Sequence, residues 1–404
     1  MKKRLFILMC SFLFIVSLAS AQDDPLATME SFSAYLDQIA TAPADEAQTM
    51  VADLWAQLTE TASIPFVRGD EVAFLYVGDA NTKKVEWRGD FTGWESSDDF
   101  VGEKVGETDL WVVFAQFPSD ARLDYKIVLN GGTWILDPNN PNQQMGGFGA
   151  NSELRMTDYV SSPFVVRDET VPQGRVRGAY RLQSEALGYA VNYSVYLPAG
   201  YADLDALPTI YVLDGHEYAN DNMGSMVIVL DNLIAQNLID PVIAVFIDPR
   251  EPNRDTNNRR ESEYIENADF AQFVATELVM NIDRVFKTSQ NASDRAILGT
   301  SLGGLASAYI GVNYPDVFNN IAIQSPAFWI SEDLYGLYEA SDGLALSFII
   351  TNGSPLWDAD DIPDFTTILD EKAYPYTLIE VAEGHSWGNW RGLVDDILIH
   401  FWGK

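Results

Sequence analysis

Residues 295–312 have the sequence RAILGTSLGGLASAYIGV, in which an apolar run meets a Gly-x-Ser-x-Gly pentapeptide and then a helical pattern. The apolar run predicts a buried strand, and the residues after the pentapeptide predict a helix. This placement is typical of a nucleophile elbow, the tight strand-to-helix turn that exposes a reactive serine. Gly299 and Gly303 would relieve crowding in such a turn. The segment therefore predicts Ser301 as a nucleophile.

The C-terminal part, residues 179–404, alternates apolar strands with helical patterns. This alternation predicts an α/β domain with a mostly parallel sheet and helices on both faces. Helices are expected at 270–285 and 302–312. Ligands bind such sheets at the carboxyl ends of the strands. The predicted strands are 192–197, 209–213, 242–247, 295–298, 320–324, 347–351 and 376–381.

The part of the chain before residue 179 has a different sequence pattern. Residues 65–160 contain short β-type runs separated by Gly- and Asn-rich turns, which predict a small immunoglobulin-like β-sandwich. Residues 22–64 have apolar side chains at helical spacing and predict two short amphipathic helices that pack rather than catalyse. A linker is expected at 161–178.

The chain opens with basic residues, an apolar run at 5–18 and the small-residue triplet Ala19-Ser20-Ala21. This order is typical of a cleaved signal peptide, residues 1–21, whereas a membrane anchor would need a longer apolar stretch. We therefore expect a secreted or periplasmic protein with no membrane span in the mature chain.

Composition excludes several classes of function. The 404 residues have a net charge of −34, which disfavours contact with the phosphate backbone of nucleic acids. The single cysteine, Cys10, lies in the apolar opening, so the mature chain is expected to have no disulfide and no cysteine-ligated metal. With three histidines in all, a histidine-rich zinc site is also disfavoured. We expect neither a metal nor a cofactor.

A nucleophilic serine needs a base, usually histidine. His400 lies in the predicted terminal helix, and His216 precedes the serine in the chain. His385 follows the last predicted strand, which is where α/β-hydrolases carry the catalytic histidine. His385 is therefore the predicted base.

The acid that orients this histidine should follow the penultimate strand. Four aspartates do so: Asp358, Asp360, Asp361 and Asp364. We favour Asp358, although spacing alone does not separate it from Asp360 or Asp361. The oxyanion would be stabilised by the backbone N–H of Leu302 and by that of His216, in the loop after the strand 209–213.

Three segments, 211–215 (YVLDG), 295–304 and 383–391, resemble the enterochelin esterase and esterase D group of α/β-hydrolases. The group includes siderophore, feruloyl and acetylxylan esterases. The resemblance implies an ester hydrolase with a triad of Ser301, an aspartate and His385. The wide spacing between Gly353 and Asp358 departs from many members of the group.

Residues 74–138 are similar to the early-set sandwich of enterochelin esterases and to glycogen-binding modules. In those modules, the positions that match Trp94, Lys126 and Trp134 contact sugar, so the resemblance implies glycan binding there. The same side chains could instead pack the sandwich.

The substrate implied by the resemblance is a small-molecule or polysaccharide-linked ester. A plant cell-wall feruloyl or acetyl ester suits an exported acidic chain, whereas an anionic siderophore ester needs basic residues at the pocket. Two alternatives are a carbohydrate-binding protein with a vestigial hydrolase domain and an acyltransferase. The expected substrate contacts are Tyr218, Arg254, Trp387 and Arg391.

Overall fold

The computed structural model describes residues 24–252, 254–331, 333–354 and 356–404. The expected signal peptide, residues 1–21, lies outside the described residues.

Two amphipathic helices begin the described chain, α1 (Met29–Thr41) and α2 (Ala44–Glu60). Thr28 caps α1, and its side chain accepts a hydrogen bond from the backbone N–H of Ser31. The apolar stripes of both helices, which include Phe32 and Leu54, pack on one face of a β-sheet. The helices expected from the apolar spacing thus have a packing role.

A β-sandwich follows, built from two antiparallel sheets. The first sheet has the order β1-β2-β5-β4, and the second has the order β3-β6-β9-β8, with β7 paired to β6. Phe74 and Trp87 face the space between the sheets, whereas Ala73 and Leu75 face the helices. Because β2 is buried on both faces, its sequence is nearly continuous in apolar residues. The strands are β1 (Phe66–Arg68), β2 (Glu71–Val77), β3 (Val85–Gly89), β4 (Glu103–Lys104), β5 (Leu110–Gln116), β6 (Arg122–Leu129), β7 (Thr133–Ile135), β8 (Gln143–Gly146) and β9 (Gly149–Arg155).

An eight-stranded sheet forms the centre of the C-terminal part, in the order β10-β11-β13-β12-β16-β17-β18-β19. The pairs β10–β11 and β11–β13 are antiparallel, and the remaining pairs are parallel. A separate hairpin consists of β14 and β15. The strands are β10 (Arg175–Gln183), β11 (Ala190–Leu197), β12 (Thr209–Val212), β13 (Ile243–Asp248), β14 (Arg250–Glu251), β15 (Arg254–Asn258), β16 (Arg295–Thr300), β17 (Asn320–Gln324), β18 (Ser347–Asn352) and β19 (Tyr376–Glu380).

The edge strand β10 was not expected from the sequence, and it begins at Arg175, inside the expected linker. Its residues are mostly exposed and include three arginines, so it carries no apolar run that could have indicated a buried strand.

Helices cover both faces of this sheet. The core on one face includes residues of α6, α7, α8, α9 and α10, and the core on the other face includes residues of α4, α11 and α12. Among the described residues, no helix has both the length and the apolar content needed to cross a bilayer. The helices are α3 (Gly215–Tyr218), α4 (Met226–Ala235), α5 (Arg260–Tyr264), α6 (Ala268–Gln272), α7 (Val279–Val285), α8 (Leu302–Asn313), α9 (Leu334–Ala340), α10 (Ile362–Glu371), α11 (Trp387–Gly392) and α12 (Val394–Trp402).

Candidate active site

Ser301 lies in the turn between β16 and α8, with φ of 57° and ψ of −118°. This conformation is rare for a residue with a side chain and is typical of a strained functional turn. A Cβ at Gly299 would overlap the carbonyl oxygen of Gly303. A Cβ at Gly303 would lie 3.4 Å from Asp214 Oδ2, which is an ordinary contact. The expectation that both glycines relieve crowding is therefore right for Gly299 and wrong for Gly303.

The imidazole of His385 lies between Ser301 and Asp358. Its Nε2 is 2.9 Å from the Oγ of Ser301, and its Nδ1 is 2.7 Å from Oδ1 of Asp358. The imidazole is about one-third exposed (32%), whereas the carboxylate is fully buried (0%). These distances allow a proton to move from the hydroxyl to Nε2 while the carboxylate accepts from Nδ1–H.

Asp358 is the aspartate that the structure brings to the histidine. Asp360 and Asp364 are exposed. Both carboxylate oxygens of Asp361 are buried without a hydrogen-bond partner, and burial raises the pKa of this group to about 6. None of these three forms the hydrogen bond to His385 that Asp358 forms.

The carboxylate of Asp358 is held by groups that sequence reasoning missed. Its Oδ2 accepts hydrogen bonds from the hydroxyl of Ser325 (2.6 Å) and from the backbone N–H of Gly353 (2.7 Å). The Ser325 hydroxyl in turn accepts from the indole N–H of Trp390 (2.9 Å). Ser325 directly follows β17 at the same sheet edge as Ser301, and this position could have indicated it.

The two expected oxyanion donors lie at the starts of helices. Leu302 is the first residue of α8, and His216 is the second residue of α3. The first N–H groups of a helix have no partner within the helix, so they are free to donate outward. A Cβ at Gly215 would overlap the backbone of β13, so glycine lets this loop lie against the sheet.

Arg260 links the two loops that carry these donors. Its Nε donates to both carboxylate oxygens of Asp214 (2.9 and 2.8 Å), and its Nη2 donates to the carbonyl of Thr300 (3.0 Å). Asp214 precedes Gly215 and His216, and Thr300 precedes the serine. The guanidinium therefore fixes the distance between the two turns.

The ring of His216 lies close to two carboxylates. Its Nδ1 lies 3.6 Å from the carboxylate of Asp248, and its Nε2 lies 3.8 Å from that of Glu217. Burial lowers the pKa of His216 despite the nearby carboxylate of Asp248. Burial also raises the pKa of Glu217 to about 7.

Two of the expected substrate contacts are wrong. Tyr218 is fully buried (0%), and its hydroxyl donates to Gln324 Oε1 at 2.6 Å. Trp387 is 3% exposed and packs edge-to-face on Trp390. Both side chains belong to the core beneath the site rather than to its surface.

The two expected basic contacts have different positions. Arg391 is partly buried, and its Nη1 donates to Gln144 Oε1 of the sandwich at 3.1 Å. Arg254 belongs to β15, and its side chain lies outside the described part of the structure.

Trp329 is an exposed aromatic side chain beside the histidine that sequence reasoning did not identify. Its ring centroid is 6.1 Å from that of His385, and 58% of the residue is exposed. Its loop is tied to the elbow, because the backbone N–H of Ala327 donates to the carbonyl of Ser301 (3.0 Å). The loop after β17 thus presents a flat apolar surface beside the imidazole of His385.

The three expected sugar contacts lie on the sandwich. The rings of Trp94 and Trp134 are 6.5 Å apart and nearly parallel, and the guanidinium of Arg88 lies over Trp134. Lys126 pairs with Arg88 across β3 and β6. Trp134 is exposed, whereas the indole N–H of Trp94 donates to the buried Asp90.

Acidic, histidine and cysteine side chains form no cluster suited to a metal ion within the part of the chain that the structure describes.

Comparison with known proteins relates this chain to esterases. Residues 184–368 match the family described as "Putative esterase". The chain is 28% identical over 230 residues to the uncharacterized protein YjcH of Bacillus subtilis, a match that covers 53% of this chain and 92% of that protein. It is 30% identical over 200 residues to an iron(III) enterobactin esterase of Escherichia coli, covering 48% of this chain and 46% of the relative.

A third relative is an endo-1,4-beta-xylanase/feruloyl esterase of Xylanibacter ruminicola, 27% identical over 161 residues, which are 37% of this chain and 22% of that protein. This chain therefore spans about half or less of the length of the relatives that are named as esterases. The family match and these names support a carboxylic ester hydrolase.

The fold matches that of solved enterobactin esterases. The ferric enterobactin esterase of Salmonella typhimurium superimposes with a TM-score of 0.69 at 21% identity, covering 82% of this chain and 93% of that one. The fold is thus an α/β-hydrolase fold preceded by a β-rich domain.

Proposed function

We propose that this chain, whose residues 184–368 match the family described as "Putative esterase", hydrolyses carboxylic esters through an acyl-enzyme on Ser301. One observation carries the proposal: the hydroxyl of Ser301, the imidazole of His385 and the carboxylate of Asp358 are joined by hydrogen bonds of 2.9 and 2.7 Å. Such a chain of contacts activates a serine at neutral pH.

The proposed reaction has two halves. His385 Nε2 takes the proton of Ser301 as the hydroxyl attacks the ester carbonyl, and the imidazolium then protonates the leaving alcohol. The N–H groups of Leu302 and His216 would stabilise the tetrahedral oxyanion. Water, deprotonated by the same imidazole, releases the acid and restores the serine. Asp358 keeps Nδ1 protonated throughout.

We propose an ester of an aromatic acid, of the feruloyl type, as the preferred substrate. Trp329 offers a flat exposed surface beside His385, which suits an aromatic acyl group. Two cations near the site are already paired with acids: Arg260 with Asp214, and Arg250 with Asp248. A net charge of −34 adds to the cost of binding a strongly anionic ester.

A siderophore ester is the second candidate, favoured by the likeness to iron(III) enterobactin esterases in sequence and fold. The rates of hydrolysis of methyl ferulate and of a catecholate trilactone, measured side by side, separate the two. An acetyl ester of xylan serves as the non-aromatic comparison.

Two further features are part of the proposal. Export would follow from cleavage after Ala21, which N-terminal sequencing of the mature protein tests. Glycan contact would use Trp134 with Trp94 and Lys126, because an exposed indole suits stacking on sugar. Retention on insoluble xylan that is lost in Trp134→Ala would support this contact.

A fluorophosphonate probe tests the proposed activity. We expect one label per chain, on Ser301, with labelling and ester hydrolysis both lost in Ser301→Ala. Ser262→Ala is the matched control, since Ser262 lies exposed on α5 and its hydroxyl donates to its own helix. A wild-type chain that resists the probe and hydrolyses no ester would favour a vestigial, carbohydrate-binding role. Transfer of the acyl group to an added sugar, in preference to water, would indicate an acyltransferase.

A further inference from the structure

Arg122 is a fully buried arginine at the start of β6, where the sandwich meets the esterase domain. Within the sandwich its guanidinium donates to the carboxylates of Asp124 and Glu153. Its remaining nitrogen, Nη1, donates to the hydroxyl of Ser386 at 3.0 Å and lies 3.5 Å from the carboxylate of Glu383. One side chain therefore joins two carboxylates of its own domain to two residues of the other domain.

These two residues flank the histidine. Glu383 and Ser386 lie on either side of His385 in the short segment between β19 and α11. The backbone N–H of Arg122 also donates to the carbonyl of Ala382 (3.1 Å), so β6 bridges to this segment as a strand would. The segment that carries the base is thus bonded to the sandwich both before and after the base.

Close packing reinforces these bonds. A Cβ at Gly388 would overlap the guanidinium of Arg122, and a Cβ at Gly384 would overlap the carboxylate of Asp90. Both glycines let the sandwich lie directly against the backbone of the histidine segment. Within the esterase domain, the amide of Asn389 donates to the carbonyl of Gly384 (3.0 Å). The segment is held from two domains at once.

We infer that Arg122 is a positioning residue for catalysis: through Ser386, Glu383 and Gly388 it sets the place of His385 relative to Ser301. The inference rests on the proposed function, since it concerns the same base. The sandwich then completes the active site, and the esterase domain alone would hold its histidine less well. A displacement of about 1 Å in a catalytic group can cost on the order of a hundredfold in rate.

The planar guanidinium is what this position requires. An arginine can donate in several fixed directions at once, whereas a lysine ammonium is a compact charge that would not reach Asp124, Glu153 and Ser386 together. Arg122→Lys therefore keeps the positive charge among the carboxylates but releases the contact with the histidine segment.

The test compares Arg122→Lys with Arg155→Lys in the full chain. Arg155 donates to the same Glu153, and its guanidinium lies over the ring of Tyr159, so its contacts lie within the sandwich and make it a matched control. Active sites are counted with a fluorophosphonate probe, and kcat per labelled site and KM are measured on an aryl ester.

For Arg122→Lys we expect kcat per site to fall about ten- to a hundredfold with KM changed less than about twofold, because the base and not the binding surface is displaced. Arg155→Lys should stay within about twofold of wild type. A purely structural role would lower the number of labelled sites but leave kcat per site unchanged, and that result would overturn the inference.

Ser386→Ala provides a second variant if Arg122→Lys does not fold. It removes one hydrogen bond to the segment and leaves the buried charges paired, so we expect a fall in kcat of about three- to tenfold at constant KM. An unchanged kcat in this variant would also contradict the inference. Failure of the proposed function looks different, because Ser301→Ala would then hydrolyse the ester as wild type does.

Discussion

The hydroxyl of Ser325 donates a hydrogen bond of 2.6 Å to Oδ2 of Asp358, and this bond joins the ends of two neighbouring parallel strands. The other oxygen of the carboxylate faces Nδ1 of His385. Ser325, at the end of β17, therefore fixes the orientation of Asp358, which lies in the loop after the neighbouring strand β18.

We expect Asp358→Asn to lower kcat on the order of 10³- to 10⁴-fold, because an amide at this position favours the wrong imidazole tautomer. Asp361→Asn is the matched control and should stay within about twofold. Steady-state kinetics on one aryl ester suffice. If the two variants lost equal activity, the acid would have to be reassigned.

Trp329→Ala should raise KM for aryl esters about three- to tenfold while kcat for an acetyl ester stays near the wild-type value. The lost stacking is worth about 1 kcal/mol, and a small acyl group does not use it. Met280→Ala removes a similarly exposed side chain from α7 and should change neither constant. Equal losses on acetyl and aryl esters would show that Trp329 does not select the acyl group.

Gly299→Ala should prevent correct folding or abolish activity, since a Cβ there overlaps the carbonyl of Gly303. Gly303→Ala should fold with its melting temperature little changed, because its Cβ would make an ordinary contact at 3.4 Å. Thermal unfolding of the two purified variants checks the pair. A stable, active Gly299→Ala variant would contradict the geometry of the turn.

Stability should fall as the pH rises from about 6 to 9. Burial, with the like charge of Asp124, raises the pKa of Asp90 to about 8, although Arg122 and the indole of Trp94 oppose this shift. Burial raises the pKa of Glu383 to about 7, with Arg122 opposing and with Glu153 and Asp124 adding to the rise.

Because the folded pKa of each group exceeds its unfolded value, the folded state binds the proton more tightly. The stability that each protonated carboxyl group contributes is complete below the pKa of that group in the unfolded chain. It is lost as the pH rises through the pKa of that group in the folded protein. We expect the melting temperature to drop by several degrees over this range and the drop to be smaller in Asp90→Asn. A melting temperature that rises between pH 6 and 9 would contradict this prediction.

The sequence alone predicts those site residues that are marked by a local motif or by their order in the chain. The turn at Ser301 is marked by its own pentapeptide, and His385 was left after elimination among three histidines. Chain order narrows the acid to a few neighbouring aspartates but does not select one, because the selection depends on which carboxylate the loop after β18 brings to Nδ1 of His385.

Other residues depend on packing between distant elements, which spacing does not reveal. Tyr218 and Trp387 have the side chains of a binding surface, yet both are buried in the core. Arg122 occurs in an ordinary strand pattern. Its proposed positioning role depends on a hydrogen bond to Ser386, which is 264 residues away in the sequence. Trp329 follows a strand without any motif around it.

A pre-steady-state burst measures the central claim most directly. With an activated p-nitrophenyl ester, we expect wild-type protein to release about one equivalent of p-nitrophenolate per active site before the slower steady phase, as Ser301 is acylated. Ser301→Ala should show no burst. A burst of the same amplitude in Ser301→Ala would contradict an acyl-enzyme on this serine.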